Sequence, residues 1–504
     1  MDFYNNIAST LSKKGINLTV GTIYDLMAIW KSWYRGSVND FHYYNEIVGG
    51  KSTQCERLTM NMPKKLCEDI TKLLWTEKTR IDLSNKNATK RLWEVLDSKE
   101  NDFTVNLPIF IEKMLALGNG ATVEYKNANN KTIIDYIDGD VIIPYKFTNG
   151  YISGMITVSR FIEEKSKNKI YYTHITYHEY VDGKYLKLNE VYKSNTDTTL
   201  GRQLNFNDVF PNVRESEVVI TSNPYFQIWK PNLANNFDTN SPMSISIYAN
   251  SIDRFKSLDT KYDSFYNEFI LGKKRILVDQ SAMKGSMETD GEGNPRFVQY
   301  FDKNDKVYQA LNVDVDKMKE PVKEIDFTLR YNEHIDSINA DLNWLSENVG
   351  LGSNYYKFDG AGTKTATEVI SENSQAFRTK EHYQIIINAC VEDLVKAVCE
   401  LEGIKTNKIT ITPDDSIIED KNTEMTRAQL EVSQGLRSKK SYLMDIKGMS
   451  EDEAEEELQK IQEEKMSNQE AFGFTTDLSN TGESQINNKD DKQDDKKKDN
   501  KGKE

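Results

Sequence analysis

Cysteine is scarce in this chain: four residues, Cys55, Cys67, Cys390 and Cys399, in 504. None has C-x-x-C spacing, so neither a disulfide framework nor a zinc ribbon is expected, and the default reading is buried, reduced thiols. No apolar run approaches the roughly 18 residues that span a bilayer. The opening residues, 1–15, lack the charged-then-apolar layout of a secretory signal, and the expectation is a cytosolic protein with no membrane partner. A basic surplus is missing as well: the formal net charge is −14. Proteins that grip nucleic acid usually carry the opposite sign. Tight binding is therefore disfavoured, whereas an acidic surface past which DNA slides is compatible with the charge. No tandem repeat is present.

Catalytic motifs are equally sparse. Gly360-Ala361-Gly362-Thr363-Lys364-Thr365 superficially resembles a phosphate-binding loop. Thr363 stands where the second glycine of G-x-x-x-x-G-K-[ST] belongs, and no apolar strand precedes it. His174 and His178 are four apart, but in an alternating, strand-like stretch rather than on a helix, so cross-strand or solvated histidines are expected instead of a metal pair. His42, His334 and His382 are isolated. No triad or paired-carboxylate arrangement is found, and no cofactor is expected. Asp414-Asp415 and the acidic run at 451–457 read as solvated surface.

What is present is long-range pattern. Residues 1–120 read as helical, with apolar residues at helical spacing in 22–34, 62–75 and 107–117, the last closed by Gly118-Asn119-Gly120. Residues 121–225 alternate β-branched and aromatic residues with polar ones. Within them, 169–181, Asp182-Gly183 and 184–192 form a hairpin signal in what is expected to be an antiparallel sheet. Ser241-Pro242 looks like a helix start. Ile245, Tyr248, Ile252, Phe255, Leu258, Tyr262, Phe265 and Phe269 then recur every three or four residues up to Gly272, predicting a helix of roughly 40 Å. Residues 273–326 turn β-like, with 275–278 and 297–301 placed around the turn-rich 290–295. A second amphipathic helix follows, carrying Ile335, Ile338, Leu342 and Leu345. The glycine-rich stretch 350–362 comes next, then a third long helix over 365–401, a short strand at 408–412, and helices near 423–435 and 451–465. From about Gly473 the chain is polar and almost free of large apolar groups, so it is expected to stay disordered. The two long helices flanking the β insertion show no obvious intrachain partner of matching length, which favours burial against neighbouring copies.

Several phrases, in this order, resemble portal proteins of tailed phages that infect Gram-positive hosts. They are Ile29-Trp30-Lys31-Ser32-Trp33-Tyr34-Arg35-Gly36 with Phe41-His42, Met62-Pro63-Lys64-Lys65-Leu66-Cys67-Glu68-Asp69, and 74–78. KTATEVISENSQAF at 364–377, DSIIEDK at 415–421, GLRSKK at 435–440 and GMSEDEA at 448–454 complete the series. The resemblance spans roughly residues 20–465. It implies an α+β, elongated portal-type subunit: a wing over 1–240, stem helices over 241–271 and 327–348, and a clip over 272–326. A tunnel loop over 349–364, a helical crown over 365–467 and a disordered tail over 468–504 complete it. It further implies a dodecameric ring at one capsid vertex, located in the virion and assembled in the host cytoplasm. Double-stranded DNA would pass through without being read. Terminase, a head-completion adaptor, and the major capsid and scaffolding proteins would be partners, and the ATPase would belong to the terminase. The channel loop would present Asn354, Tyr355, Tyr356, Lys357 and Lys364, and the clip surface Lys273, Lys274, Arg275 and Arg296. The alternative in the same class is another head–tail connector or capsid protein. An enzymatic minor head protein would need a polar constellation that the sequence does not offer.

Overall fold

The fold is seen in a computed structural model that describes residues 2–16, 18, 22–48, 50–165, 168–272, 275–278, 284–289, 293–300, 322–325, 328–358, 366–413, 421–449 and 451–472. The described part contains no helix long and apolar enough to cross a membrane. The chain divides into two units, Met1–Glu419 and Asp420–Glu504. The expected disordered tail lies outside the described residues from 473 onward.

The N-terminal helices follow the apolar spacing: α1 (Asp2–Ser12), α2 (Ile23–Tyr34), the short α3 (Asn39–His42), α4 (Met62–Leu74), α5 (Lys86–Leu96) and α6 (Phe103–Leu117). Three strands interrupt what reads as an all-helical region. β1 (Tyr43–Val48) and β2 (Lys51–Glu56) form an antiparallel hairpin, and β3 (Arg80–Leu83) pairs far away in sequence. The hairpin carries its own signal, the glycine pair Gly49-Gly50 between two short runs. Its strands lack an apolar face, because β2 is almost wholly exposed, so no period-2 pattern marks them.

The β-rich region is antiparallel throughout. β4 (Gly120–Lys126), β5 (Thr132–Asp138) and β12 (Phe226–Trp229) form one sheet in the order β12-β4-β5. β6 (Ile142–Thr148), β7 (Tyr151–Lys165), β8 (Asn168–Val181), β9 (Lys184–Ser194) and β10 (Arg202–Leu204) form the larger one. The short helix α7 (Phe206–Val209) follows β10, and β11 (Ser216–Ile220) also pairs with β9. Asp182 (φ 51°) and Gly183 (φ 72°) make the tight β8–β9 turn that Asp-Gly predicts.

The helix expected from Ser241-Pro242 begins ten residues later, as α8 (Ile252–Leu271), about 30 Å long. The reason is a competing set of backbone partners. Ser244 exchanges two 2.9 Å hydrogen bonds with the Asn119 side chain, and the Ile247 N–H donates to the Leu115 carbonyl at 3.2 Å. Gly118, at φ 76°, lets this happen: a Cβ there would sit 2.3 Å from the Ile245 carbonyl carbon. Ile245, Ile247 and Tyr248 are buried, but from an irregular segment whose burial mimics helical spacing.

Then come β13 (Arg275–Val278), β14 (Lys284–Thr289), β15 (Pro295–Tyr300), β16 (Val322–Ile325) and α9 (Tyr331–Asn348). β15 pairs with β14, while β13 pairs with β16, so the segments read on either side of the turn-rich stretch belong to different strand pairs. α10 (Ala366–Glu402) agrees with the helix read at 365–401. Its buried residues Tyr383, Ile387, Val391, Leu394 and Val398 enter the same core as Trp30, Trp33, Leu66, Phe110 and Trp229. β17 (Ile409–Thr412) closes the unit by pairing with β3. The second unit holds α11 (Lys421–Ser433), α12 (Lys439–Asp445) and α13 (Glu451–Phe472), where Lys440 bridges Glu451 and Glu455.

One buried group carries a measurable consequence. Glu124 on β4 is fully buried, and neither carboxylate oxygen has a hydrogen-bond partner among the described residues; the same holds for the nearby Tyr136 hydroxyl. Burial lifts the Glu124 carboxyl to about 8. A raised carboxyl pKa means that the native state holds its proton more tightly than the unfolded chain does. The stability this contributes is fully present below the unfolded value near 4.5 and is lost as pH rises through 8. Urea unfolding of Glu124→Gln against wild type at pH 5 and pH 9 is expected to show the variant gaining, relative to wild type, on the order of 4 kcal/mol between the two pH values. Parallel pH dependences would contradict this.

Candidate functional site: the paired helices and the segment that follows them

α8 and α9 pack on each other as an antiparallel pair, each serving as the long partner that the sequence did not reveal. At one end Phe255 and Leu258 meet Ile338, Leu342 and Leu345 in the core. Asp341, nearly buried on α9, accepts from Ser257 and from the Lys261 ammonium (2.7 Å), which also donates to the Ser337 carbonyl at 3.0 Å. At the other end the Arg330 guanidinium grips Glu268 with two hydrogen bonds of 3.1 and 2.7 Å, and this holds the Glu268 carboxyl down at about 2. Phe265 packs among Phe269, Tyr331, His334 and Phe358. Tyr266, Phe269, Ile270, Tyr331 and Trp344 remain exposed, so the pair still presents apolar surface.

α8 is tied to the N-terminal helices by a buried carboxylate. Asp259 accepts from His42 Nε2 (3.1 Å), Thr59 Oγ1 (2.9 Å) and the Met60 N–H (2.9 Å). The Val38 N–H donates to His42 Nδ1 at 2.9 Å, so the ring proton sits on Nε2, facing Asp259. One turn further on, Asp263 accepts the Leu58 N–H at 3.1 Å. The sequence contained a signal for this: Asp259 interrupts the buried side of α8, next to Leu258 and four residues after Phe255.

The chain after α9 is where the expected channel loop begins. Asn354 is half-buried with φ 64°, Tyr355 is half-buried, and Lys357 is exposed. Tyr356 corrects the expectation of a residue open to the channel. It is buried, and its hydroxyl donates to Asp69 Oδ2 on α4 at 3.0 Å, with burial and then Asp69 pushing its pKa up. The aromatic–polar pattern of 354–357 gave no sign of which ring turns inward. Lys364, Lys273 and Lys274 lie outside the described residues. Arg275 stands opposite Ile325 in the β13–β16 pair, and Arg296 is exposed opposite Glu288 in the β14–β15 hairpin. These two arginines thus lie on separate two-stranded sheets, whereas 354–357 form one continuous stretch against α9.

The other candidate groups are structural in setting. His174 and His178 sit on β8. His174 bonds Asn189 at 3.0 Å, and His178 bonds the Tyr185 hydroxyl at 2.8 Å, its pKa pushed down to about 3 by burial. Cys67, Cys390 and Cys399 are buried and free, and Cys55 is partly exposed on β2. One cavity, of about 490 Å³, lies at the end of α9, lined by Glu347, Asn348, Val349 and Gly350 with Ile245 and Tyr383; another, of about 760 Å³, on the face of the larger sheet, is lined by Tyr145, Tyr177, Leu186 and Leu188, with its rim lysines Lys14 and Lys146 paired to Glu190 and Glu179.

Asp259→Ala would strand a buried imidazole N–H and the partly buried Met60 N–H. The expected cost in urea unfolding is on the order of 3 kcal/mol. A loss below about 1 kcal/mol would show that α8 does not depend on this carboxylate.

No curated protein matches. Among solved structures, the neck of an empty GTA particle computed with C6 symmetry is 10% identical, covering 76% of this chain and 89% of that chain at a TM-score of 0.41. The virion of a native GTA particle is 11% identical, covering 77% and 88% at a TM-score of 0.36. Among protein families, residues 23–471 match the family described as phage portal protein, SPP1 Gp6-like. That match runs from the start of α2 into the last turn of α13, and the chain belongs to the SPP1 Gp6-like family of phage portal proteins.

Proposed function

We propose that α8 and α9 line the channel of a portal ring at one capsid vertex, with DNA passing through the ring during packaging and ejection. The observation that carries this is the family match over 23–471 together with two helices that bracket a β insertion. In this reading residues 1–240 form the wing, 241–271 and 327–348 the stem, and 272–326 the clip, with Arg275 and Arg296 on the surface that meets the terminase and later a head-completion adaptor. Residues 349–364 form the tunnel loop and 365–467 the crown. The ring is dodecameric and contacts the major capsid and scaffolding proteins during assembly in the host cytoplasm. It does no chemistry of its own; translocation is driven by the terminase.

Physical chemistry supports the assignment in three ways. The α8–α9 pair retains exposed aromatic and aliphatic side chains after packing on itself, and apolar surface of this kind needs cover. A chain of net charge −14 offers DNA little to adhere to, which suits transport more than retention. Lys357 supplies a cation without any base-reading geometry.

Mass photometry across a range of salts, with and without scaffolding protein, is expected to show a closed assembly of many copies, seen in negative stain as rings with a central hole. Infected cells lacking the gene are expected to make heads that hold no DNA. Monomers under every condition, or filled heads without the protein, would overturn the proposal.

A further inference from the structure

The β1–β2 hairpin has a root built to hold it and an arm left bare. At the root the Arg57 N–H donates to the His42 carbonyl at 2.7 Å, and the Arg57 guanidinium lies over the Phe41 and Tyr44 rings, 4.3 and 5.1 Å from their centroids. The bonds of His42, Leu58, Thr59 and Met60 to Asp259 and Asp263 fix that root on α8. Beyond it Asn45, Glu46, Ile47 and 51–54 are all exposed, Ile47 at 82%, and the two strands pair with no other described strand. A two-stranded hairpin alone in water is marginally stable at best, and its free edges invite another chain.

At about 100° per residue, Asp259 and Asp263 lie on the side of α8 opposite Ser257 and Lys261, which bond Asp341 of α9. On the side of α9 away from α8 lies 353–358. The Asn354 N–H donates to Asn343 Oδ1 at 3.0 Å, the Tyr356 N–H to Ser346 Oγ at 3.4 Å, and the Phe358 N–H to Asn339 Oδ1 at 2.7 Å. Asp336, Asn339 and Asn343 follow at three and four residues, so the exposed Asp336 shares that stripe. The order across the pair is therefore hairpin root, α8, α9, 353–358. Heights are set as well: Lys261 bonds the Ser337 carbonyl and Phe265 packs on His334, so the root at Asp259 and Asp263 stands level with 336–339 of α9.

We propose that the hairpin is an arm by which one copy holds the next: in the ring it lies against α9 and 353–358 of the adjacent copy. This rests on the reading that α8 and α9 stand side by side in the channel wall. The order hairpin root, α8, α9, 353–358 then repeats around the ring, and closure without rise keeps each hairpin at the height of its neighbour's Asp336. Six-residue strands make the arm about 20 Å long, about twice the spacing of packed helices, so it spans the gap between copies. The exposed charges are complementary: Lys51 and Glu46 on the arm, Asp336 and Lys357 on the surface it meets. Ile47 supplies the apolar contact. Tyr266 and Ile270 continue the Asp259–Asp263 stripe of α8 at three and four residues, and they are exposed toward the same neighbour.

The test uses the full chain, with Cys55→Ser removing the partly exposed thiol. Ser52→Cys, opposite Ile47 on the hairpin, is combined with Asp336→Cys; both positions are exposed, so neither substitution disturbs the core. In assembled rings a short bis-maleimide is expected to give a ladder of covalent multimers up to the full ring, whereas either cysteine alone leaves monomers on a denaturing gel. Separately, Ile47→Asp is expected to make rings dissociate at a several-fold higher protein concentration than wild type. Rings that give no ladder, or Ile47→Asp rings as stable as wild type, would overturn the arm. So would a thiol at position 52 that is shielded from maleimide only in complete particles, because another particle protein would then be what covers the hairpin. A wild-type chain that forms no ring, seen by mass photometry before any cross-linker is added, would overturn the ring reading together with the arm, whereas rings without the ladder overturn the arm alone.

Discussion

A carboxylate out of reach of water must find donors or give up its charge, and Asp259 finds three, all from one stretch of chain between His42 and Met60. That requirement fixes α8 against α2–α4. α9 then takes its place from α8, through Asp341 at one end and the Arg330–Glu268 fork at the other. The chain beyond α9 takes its place from α9, through Asn339, Asn343 and Ser346, and returns to α4 at Asp69. The circuit closes on the helix next to where it began. A subunit built this way holds α8 and α9 to each other at both ends, which suits the channel wall proposed for them if neighbouring copies repeat it around a ring.

Electrostatics serves placement here more than catalysis. The charges that matter are internal pairs: Lys261 with Asp341, Lys14 with Glu190, Lys146 with Glu179. Exposed bridges of this sort contribute little individually, but the buried or half-buried ones set angles between elements. Glu124 is the exception, a fully buried carboxyl with no opposite charge to pair with on the β4 strand against which α10 packs. It makes that junction sensitive to pH without serving any visible chemistry.

Much of this was legible in the sequence. The β8–β9 hairpin was readable because Asp182-Gly183 is chemically suited to the turn. α2, α4, α9 and α10 were readable because their apolar residues repeat at helical spacing over three or more turns. The misreadings share a cause, which is that local pattern cannot see distant partners. Ile245 and Tyr248 continue the spacing of α8, yet Asn119 and Leu115 claim the backbone of that segment. β3 is four residues long and becomes a strand by finding β17, which was itself read as a short strand at 408–412, across the chain. The β1–β2 hairpin, exposed on both faces, never needed an apolar alternation. In the candidate site, the identities of 354–357 were visible, but which of two adjacent tyrosines turns inward was decided by Asp69, far away in sequence. The family resemblance was carried by scattered phrases whose order, more than their content, was specific.

The central claim is that α8 and α9 face the hole of a closed ring. Cryo-EM of the assembled protein at side-chain resolution tests it most directly. The account predicts a ring in which this pair forms the narrow wall of the channel, with 353–358 lying along α9. A ring whose central hole is walled by the β7–β9 sheet, with α8 and α9 on the outer rim, would contradict it.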